Sequence, residues 1–468
     1  MDNRKKEMML QEERPLVELP ILLGILSVLL FFGLGIGLLV FSAPIMVAFF
    51  LAGVVSISIL LNPFIGAILF IAAAYLHPLQ FMPGLKYSNF TTGVAFVIFL
   101  AWGFHVLVYR DLYIPKSKQW VWFFCFVLLA GMSSAMRWGE SSFYYIDLLK
   151  VFVLYFLIAV LTKTKRHIFV LIAVLLFLGL MTAVLAIYQN IHGVGLRLSE
   201  GILRITGFSN DPNDLALSLL LLLPLTIGLF LKSRRFVSKA ATLILLFLFL
   251  LVIALTFSRA VYLAVPIVFI LSVWRFVRKN KRVLVILMIF LGIVPVLHFL
   301  PQRFFKRIET ISMVNIDPSI WSRVDGYVVG LKMMAEHPFV GVGIGRWQRE
   351  YWPLAIEMPL IRTKMSSVQH NIFIEVGSET GIMGLISFVL LTIYAFKDVR
   401  IASMIFEKSK DAFLSIFSKS LEIGLIGFLI STMFVAAIHV KFFWIILGFI
   451  LALKGLALKI QSKELKIK

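Results

Sequence analysis

Long apolar segments dominate this chain, and short polar loops separate them. Fourteen of these segments approach the about 20 residues that an α-helix needs to cross a bilayer. Backbone groups inside a bilayer find no water to bond, so spanning segments of this length must be helical. The sequence therefore predicts an all-α polytopic membrane protein with about 12–14 transmembrane helices, because the third and tenth segments are short. The segments lie at 19–41, 43–61, 63–77, 91–109, 119–136, 143–162, 167–190, 213–231, 240–257, 260–274, 283–300, 371–396, 421–438 and 441–458.

The composition excludes a water-soluble protein. The chain is 60% hydrophobic and 15% charged, whereas soluble domains are about 45–50% apolar and about 25% charged. A single cysteine, Cys125, excludes a disulfide framework and a cysteine-based metal site. The net charge of +21 would suit nucleic acid only if the basic residues formed one face, but they occur as short clusters between apolar segments. We therefore expect membrane lipids as the surroundings and no nucleic-acid partner.

The distribution of Lys and Arg predicts the orientation. If the N-terminus is cytoplasmic, seven cytoplasmic segments carry 29 of the 45 Lys and Arg residues. Short cytoplasmic loops of membrane proteins are enriched in these residues, so both termini are predicted to be cytoplasmic. The first apolar segment has 23 residues, longer than the core of a signal peptide, and predicts a retained helix. The cytoplasmic segments are 1–18, 110–118, 163–166, 232–239, 275–282, 397–420 and 454–468.

The same pattern predicts the domain organisation. A single long loop interrupts the apolar segments, and no internal repeat or separate soluble domain is visible. The predicted parts are a cytoplasmic N-terminal tail at 1–18, transmembrane helices at 19–300, an extracytoplasmic loop at 301–369, C-terminal transmembrane helices at 370–460 and a cytoplasmic tail at 461–468.

The extracytoplasmic loop carries nine Lys and Arg residues, where membrane topology does not require cations. Loops of more than about 60 residues escape the charge rule, so either simple tolerance or an anionic ligand explains these charges. Asp317-Pro318 predicts a helix start. Apolar residues follow at helical spacing, and we expect their side of the helix to lie on the membrane domain. These residues are Trp321, Val324, Val328, Leu331 and Met334/Ala335.

Two arginines near the outer ends of predicted helices are candidate binding residues. Arg259 lies between two apolar segments with no polar loop around it, where a cation is costly. Snorkelling to the interface is the alternative, but we favour a functional partner. Arg204 precedes the predicted helix start at Asp211-Pro212, where capping explains Asp211 and also accounts for Asn213. Arg204 itself either pairs with a nearby aspartate or binds an anion.

His370 lies at the predicted water–membrane boundary, where an imidazole can accept a proton near neutral pH. Its alternative role is a hydrogen bond at the start of a helix. Glu375 and Glu379 follow on one helical face. The glycine segment 338–345 lacks the pattern and context of a dinucleotide site, which leaves a turn or a weak backbone N–H site. Scattered histidines and the absence of HExxH give a metal site no support.

Several short motifs follow one another over about residues 200–390, all on the predicted outer side. They are Gly207-Phe-Ser-Asn-Asp-Pro-Asn213, Ser258-Arg259-Ala260, Ser322-Arg323, His337-Pro-Phe-Val-Gly-Val-Gly343, His370-Asn-Ile-Phe-Ile-Glu375 and Glu379-Thr-Gly-Ile-Met-Gly384. This series resembles the O-antigen ligase/O-antigen polymerase family of bacterial membrane glycosyltransferases. The N-terminal half is similar to that family in hydropathy alone.

The resemblance implies a GT-C-like fold and transfer of a glycan from a polyprenyl (undecaprenyl) diphosphate to an acceptor hydroxyl, with lipid A-core sugar favoured. It implies catalytic roles for Arg259, Arg323 and His370, and donor-diphosphate binding by Arg204, Arg259 and Arg323. Guanidinium groups suit phosphate oxygens, so we expect no cofactor and no metal. Attack opposite the leaving diphosphate implies inversion at the anomeric carbon. The residues expected to support the site are Asn213, Asn371, Glu375 and Arg346.

Other functions remain open at this stage. O-antigen or exopolysaccharide repeat-unit polymerisation, or protein O-glycosylation, would use the same site. A transporter or flippase would show paired intramembrane charges or broken-helix repeats in both halves, whereas the distinctive polar residues here cluster late and on one side. A non-catalytic assembly subunit would leave His370 dispensable.

Overall fold

The structure is a computed structural model. It describes residues 53–76, 90–110, 112–136, 138–199, 202–209, 211–277, 318–358 and 369–467. Several sequence predictions lie outside the described residues. They are the tail 1–18, the apolar segments 19–41 and 283–300, most of 43–61, and Asp317.

The regular secondary structure of the described residues is helical apart from one short antiparallel hairpin, in which Leu198 pairs with Leu203. Residues 53–61 are helical and precede the first labelled element. The elements are α1 Pro63–Leu76, α2 Phe90–Tyr109, α3 Gln119–Ala135, α4 Trp138–Leu161, α5 Lys165–His192, β1 Arg197–Ser199, β2 Ile202–Arg204, α6 Pro212–Lys232, α7 Phe236–Leu255, α8 Arg259–Phe276, α9 Pro318–Glu336, α10 Trp347–Glu357, α11 Ile372–Lys408, α12 Ala412–Thr432 and α13 Lys441–Ile467.

Among the described residues, nine helices are long and apolar enough to cross a membrane: α2, α4 to α8, and α11 to α13. Two more, α1 and α3, are apolar but shorter. Eleven of the fourteen predicted segments thus coincide with described helices. The predicted all-α polytopic fold is confirmed.

Small residues allow the central helices to approach closely. Helix α12 packs against α6 and α8. A Cβ atom on Gly424 would lie 3.0 Å from the carbonyl oxygen of Leu221, and one on Gly427 would lie 2.4 Å from Val268. Close backbone approach at small residues is the usual way in which membrane helices associate. This packing holds α8, whose first residue is Arg259, against the centre of the bundle.

Charged residues of several predicted cytoplasmic segments form ion pairs at one end of the bundle, together with Glu422 from the predicted span 421–438. Asp411 pairs with Lys165, and buried Glu422 accepts from Arg275 at 2.7 Å and Arg400 at 2.6 Å. Buried Asp398 pairs with Lys454 and also accepts a hydrogen bond from Ser117. These contacts bring parts of five predicted cytoplasmic segments to the same end, as the predicted alternation of the helices requires.

The predicted helix boundaries near the C-terminus were wrong. The predicted cytoplasmic loop 397–420 is helical except at 409–411, and the predicted span 421–438 is replaced by α12 and a non-helical segment, 433–440. Charges such as Lys397 and Arg400 suggested a loop, but α11 has 37 residues and extends beyond a hydrocarbon layer of about 30 Å. Most apolar residues of 433–440 are buried or half-buried, although Met433 is exposed, and hydropathy cannot distinguish such a loop from a helix.

The amphipathic helix of the long loop exists as α9, but its buried face differs from the predicted one. Buried residues are Asp325, Gly326, Val329, Gly330 and Met333, whereas Val324 and Leu331 are exposed. The reason is that α9 packs against α10 and α11 through a glycine: a Cβ on Gly330 would lie 2.3 Å from Ile374. Val324 and Leu331 of the apolar stripe are therefore left exposed instead of being buried against α10 and α11.

Candidate functional site

Arg259 is the first residue of α8 and follows a tight turn from α7. Phe257 in this turn has a φ of +53°, a left-handed conformation that is rare for a bulky residue. The Ser258 side chain makes no capping hydrogen bond to α8, so it does not accept from the first backbone N–H groups of that helix. Arg259 is buried, with 8% of its surface exposed. The turn thus presents a cation and a helix N-terminus together.

Arg204 and Asn213 hold this turn through side-chain hydrogen bonds. The Arg204 Nε donates to the carbonyl oxygen of Thr256 at 2.6 Å, and its terminal nitrogen donates to Asn213 Oδ1 at 3.0 Å. The same oxygen accepts from Ser258 Oγ at 2.9 Å. Arg204 is 2% exposed. Asn213 is therefore a hydrogen-bonding centre between the β2 strand, α6 and the turn before Arg259, which the capping interpretation of Asn213 missed.

Asp211 is the N-cap of α6, as the sequence predicts. Its Oδ1 accepts from the backbone N–H of Asn213 at 2.8 Å, and its other oxygen pairs with Arg197 at 2.9 Å. The Arg204 guanidinium turns towards Thr256 and Asn213.

Arg259 and Arg323 line one cavity, which we call the arginine cavity. Its volume is about 250 Å³. Helix α8 supplies one wall, α9 a second and the 433–440 segment a third. The lining residues are Arg259, Ala260, Leu263, Arg323, Val324, Tyr327 and Phe434. Two arginines from distant parts of the sequence thus share an otherwise apolar pocket.

Tyr327 connects this cavity with His370. The Tyr327 hydroxyl donates to the carbonyl oxygen of Met433 at 2.6 Å and approaches that of His370 at 3.4 Å. Burial raises the pKa of Tyr327, opposed by a hydrogen bond with Asn371 and by the charge of Arg323. The phenol therefore stays protonated and serves as a donor. A role for Tyr327 at this site could not be predicted from the sequence, because an aromatic residue at helical spacing is typical of a packing position.

His370 lies immediately before α11, in a strained position. Its φ is +50°, and the side chain is half-buried. Asn371 caps the helix by accepting from the N–H of Phe373 at 2.8 Å, and its Nδ2 donates to the Met433 carbonyl at 3.2 Å. Strained backbone held by its surroundings is concentrated at functional sites. The helix-start role proposed as an alternative for His370 belongs to Asn371 instead.

Glu375 anchors the 433–440 segment. Its Oε2 accepts from the backbone N–H groups of Ala437 at 2.8 Å and Ile438 at 3.1 Å. The carboxylate is 6% exposed. Glu375 therefore supports the wall that carries Phe434, one turn away from His370. Sequence reasoning could not find this segment, because it reads as the end of a transmembrane span.

The glycine segment is not an open backbone site. Val342 donates to Ser378 at 2.8 Å and Gly343 to Glu379 at 3.1 Å, while Ile382 donates to Pro338 at 2.7 Å. These bonds fill a break in α11 at Gly381, where φ is +75°. The expectation of a backbone N–H site there is wrong for Val342 and Gly343, since their N–H groups bond α11.

Arg346 lies at the start of α10, 7% exposed, and forms an ion pair with Glu350. The lining of the arginine cavity given above does not include it. In the described part of the chain, no three His, Cys, Asp or Glu residues form a group that could hold a metal ion.

Comparison with protein families gives a match for part of the chain. Residues 243–389, about a third of the sequence, match the family model described as O-antigen ligase. This similarity supports a membrane enzyme that transfers glycans, of the ligase or polymerase type.

The residues that match the O-antigen ligase model include Arg259, Arg323 and His370, together with Tyr327. Arg204 and the 433–440 segment lie outside the matched residues, although both contact the site. No curated protein matches the chain significantly.

Proposed function

We propose that the protein transfers a glycan from a polyprenyl (undecaprenyl) diphosphate donor to an acceptor hydroxyl at the extracytoplasmic face of the bacterial inner membrane. Ligation to lipid A-core is the favoured reaction. The observation that carries this proposal is the arginine cavity, in which Arg259 and Arg323 meet. The match to the O-antigen ligase model, which includes both arginines, supports the same class of reaction.

The arginine cavity suits a diphosphate. Two guanidinium groups can each offer a planar pair of N–H donors to phosphate oxygens. The N-terminus of α8, at Arg259, adds the positive end of a helix dipole and backbone N–H groups. A departing diphosphate gains negative charge, which preorganised cations in a water-poor cavity stabilise strongly. The site therefore lowers the energy of the leaving group.

The apolar part of the cavity suits the lipid. Leu263, Val324 and Phe434 line it beside the arginines, and Leu263 and Val324 are exposed at 46% and 40%. A polyprenyl chain bound at these positions would leave the diphosphate at Arg259 and Arg323. The exposed stripe of α9, which differs from the predicted packing, is thereby explained as a lipid contact.

His370 is proposed as the general base. The acceptor hydroxyl oxygen attacks the anomeric carbon and forms the new glycosidic bond as its proton passes to the imidazole. The bond between the anomeric carbon and the phosphate oxygen breaks, and the diphosphate leaves with the electron pair. Attack opposite the leaving group inverts the anomeric configuration.

Arg204 is proposed as a positioning residue instead of a direct donor ligand. Its guanidinium bonds Thr256 and Asn213 and lies 2% exposed. In this position it fixes the turn that directs Arg259 into the cavity. Asn371 and Glu375 support the opposite wall through Met433 and Ala437. Arg346 organises the neighbouring glycine segment, which packs behind α11.

A transport function is less consistent with the broken helix. The break in α11 at Gly381 is filled by the Pro338 carbonyl, which accepts from Ile382. Transporters use such breaks to expose backbone groups to ions or substrates. Repeat-unit polymerisation and protein O-glycosylation remain the nearest alternatives, since they need the same donor chemistry.

The proposal is tested with purified protein and a polyprenyl-diphosphate glycan. One reaction contains lipid A-core, a second donor alone, and a third an acceptor protein. We expect a ligation product in the first; a polymer ladder in the second or glycoprotein in the third would replace ligation by that activity. Absence of any transfer by folded protein would refute the proposal.

Three variants and a chelator test the mechanism. Arg259→Ala and Arg323→Ala should abolish transfer, and His370→Ala should lower it by about 10²–10⁴-fold, the usual contribution of a general base. Transfer at the wild-type rate by well-expressed His370→Ala would refute the base assignment. EDTA should leave the rate unchanged, and inhibition reversed by added metal would overturn the metal-independent step. NMR of the product tests inversion.

A further inference from the structure

A second cavity lies close to the arginine cavity and has no part in the transfer step described above. We call it the hydroxyl recess. Its volume is about 70 Å³, and it is formed where α1, α5, the start of α6 and the start of α13 meet. The lining residues that carry the argument are Tyr75, Thr182, Phe208, Asp214, His439 and Lys441.

The two cavities share two structural supports. Asp214, in the recess, directly follows Asn213, whose side chain bonds the serine before Arg259. The 433–440 segment contributes Phe434 to the arginine cavity and His439 to the recess. The start of α6 and the 433–440 segment thus link the two cavities structurally.

The charged groups of the recess are mixed in sign. Asp214 supplies an acceptor, and Lys441 supplies a donor that also bonds the Ala74 carbonyl at 3.1 Å. Burial lowers the pKa of His439, opposed by Asp147, so its imidazole is neutral and offers one donor and one acceptor. Glu375 lies near Asp214 as well. Hydrogen-bond donors and acceptors therefore occur together in the recess, which suits a neutral polar ligand that both donates and accepts.

Hydroxyl groups complete the lining. Tyr75 is 6% exposed and Thr182 is 2% exposed, and the Tyr75 hydroxyl lies near those of Thr182 and Ser218. Neither the Tyr75 nor the Thr182 hydroxyl completes a hydrogen bond of good geometry with a described residue. Buried polar atoms normally have a partner, so these two hydroxyls indicate a water or ligand group in the recess.

Aromatic rings border the same space. Tyr75 and Phe442 meet edge to face with their ring centroids 4.4 Å apart, and Phe208 lies half-buried beside them. Apolar surface with a few convergent polar groups is the usual composition of a small-molecule site. A cavity of this size holds only a few water-sized groups, since about 10–15 Å³ suffices for one water.

We propose that the hydroxyl recess binds the neutral, hydroxyl-bearing edge of a sugar in one of the two substrates. Sugar hydroxyls both donate and accept, which matches Asp214, Lys441, His439 and Thr182. The apolar face of a sugar ring would rest against Phe208. This proposal rests on the proposed glycan transfer and adds to it the recognition of the sugar itself.

Protection from labelling tests binding without catalysis. Ser209 lines the recess and is half-buried, so Ser209→Cys in a Cys125→Ser background provides one thiol for maleimide. The probes are the polyprenyl-diphosphate glycan, lipid A-core, and polyprenyl diphosphate without sugar. We expect at least one sugar-bearing probe to slow labelling and the sugar-free lipid to leave it unchanged. Equal protection by the sugar-free lipid, or no protection by any probe, would overturn the proposal.

Kinetics of a matched pair of variants provides the second test. Thr182→Val removes one hydroxyl from the recess at nearly constant volume, and Thr226→Val removes a buried hydroxyl that bonds the Leu223 carbonyl elsewhere in α6. We expect Thr182→Val to raise KM for one sugar-bearing substrate by about tenfold with kcat retained, the usual effect of one lost hydrogen bond. Thr226→Val should keep the wild-type KM.

The substrate whose KM rises identifies whether the donor or the acceptor sugar occupies the recess. Unchanged KM values for both substrates in Thr182→Val would overturn the sugar site while glycan transfer stands. Failure of the wild-type protein to transfer any glycan would instead refute the proposed function, so the two failures are distinguishable.

Discussion

The Arg204 guanidinium donates a 3.0 Å hydrogen bond to the Asn213 side chain, which also accepts from Ser258. Ser258 precedes Arg259 in the chain, so this contact links an arginine outside the residues that match the family model to the cation inside them. A buried arginine is strongly held only where its donors find acceptors. The relationship explains how a turn of three residues, 256–258, can hold Arg259 in one orientation.

Asn213→Ala is expected to lower glycan transfer by about 10–100-fold, because a small displacement of a catalytic group has effects of this size. The measurement is kcat/KM of purified protein. Loss of the buried acceptor should also reduce stability by about 1–3 kcal/mol. Asn62→Ala serves as the control, since Asn62 accepts from the Phe64 N–H at 3.2 Å away from the site; equal losses of transfer in both variants would contradict the positioning role.

Arg323→Lys should lose most of the transfer activity even though it keeps the positive charge. A lysine ammonium cannot offer the planar pair of donors that a guanidinium presents to phosphate oxygens. We expect a loss of at least about tenfold in kcat/KM, corresponding to about 1.4 kcal/mol. Arg349→Lys, at an exposed position on α10, should retain wild-type transfer. Retention of full activity by Arg323→Lys would show that charge alone suffices.

Gly341→Ala should destabilise the protein. Gly341 has a φ of +67°, and an added Cβ would lie 2.4 Å from the backbone carbon of Glu379. Backbone at such a distance cannot move aside as a flexible side chain can, so we expect a loss of about 1–3 kcal/mol. Gly93→Ala is the matched control, because nothing lies within 4 Å of its Cβ position in α2. Thermal unfolding in detergent checks both variants, and equal midpoints would be contrary to this packing.

The stability of the folded protein is expected to decrease at acidic pH, partly because His439 takes up a proton. Burial lowers the pKa of this imidazole in the folded protein, whereas an unfolded chain takes up the proton at about pH 6.5. Below about pH 6.5 the unfolded state binds more protons, so stability decreases as pH falls towards the folded pKa; above it the group contributes no pH dependence. Thermal midpoints at pH 7.5 and 5.5 should therefore differ less in His439→Gln than in the wild type.

His192→Gln is the control for this pH dependence, since His192 is exposed. It should retain the wild-type difference between the two midpoints. If His439→Gln and wild type lose the same number of degrees, the titration of His439 does not contribute.

Cysteine labelling tests the orientation. Gly345 is a poor labelling position, because its φ is +73° and a Cβ would lie 2.2 Å from Tyr144. Gln348, exposed on α10, and Lys463, exposed near the end of α13, are suitable instead. In a Cys125→Ser background, an impermeant maleimide should label Gln348→Cys in intact spheroplasts and Lys463→Cys only after lysis. The reverse pattern would invert the proposed topology.

Much of the fold follows from local properties of the sequence. The position of α5, predicted at 167–190 and found at Lys165–His192, follows from hydropathy, because a bilayer requires about the same length of apolar helix everywhere. The Asp211 cap follows from local hydrogen bonding. In contrast, the end of α12 could not be predicted, because a loop covered by protein is as apolar as a helix.

The candidate site shows the same division. The motifs singled out Arg259, Arg323 and His370, and the structure brings both arginines to one cavity and the backbone of His370 to its edge. Tyr327 and the anchoring role of Glu375 were not predicted, since each depends on a partner 62 or more residues away in 433–440.

By itself, the sequence determined that this chain is a bundle of membrane helices and which cations occur near the helix ends, because span length and capping act within a few residues. Tertiary structure alone decided that Arg204 supports the turn while Arg259 lines a cavity, that α9 buries its glycine side, and that a second recess shares structural supports with the first. Those outcomes depend on which distant groups meet when the helices pack, and hydrogen-bond partners and steric fit between them leave no periodic pattern in the chain.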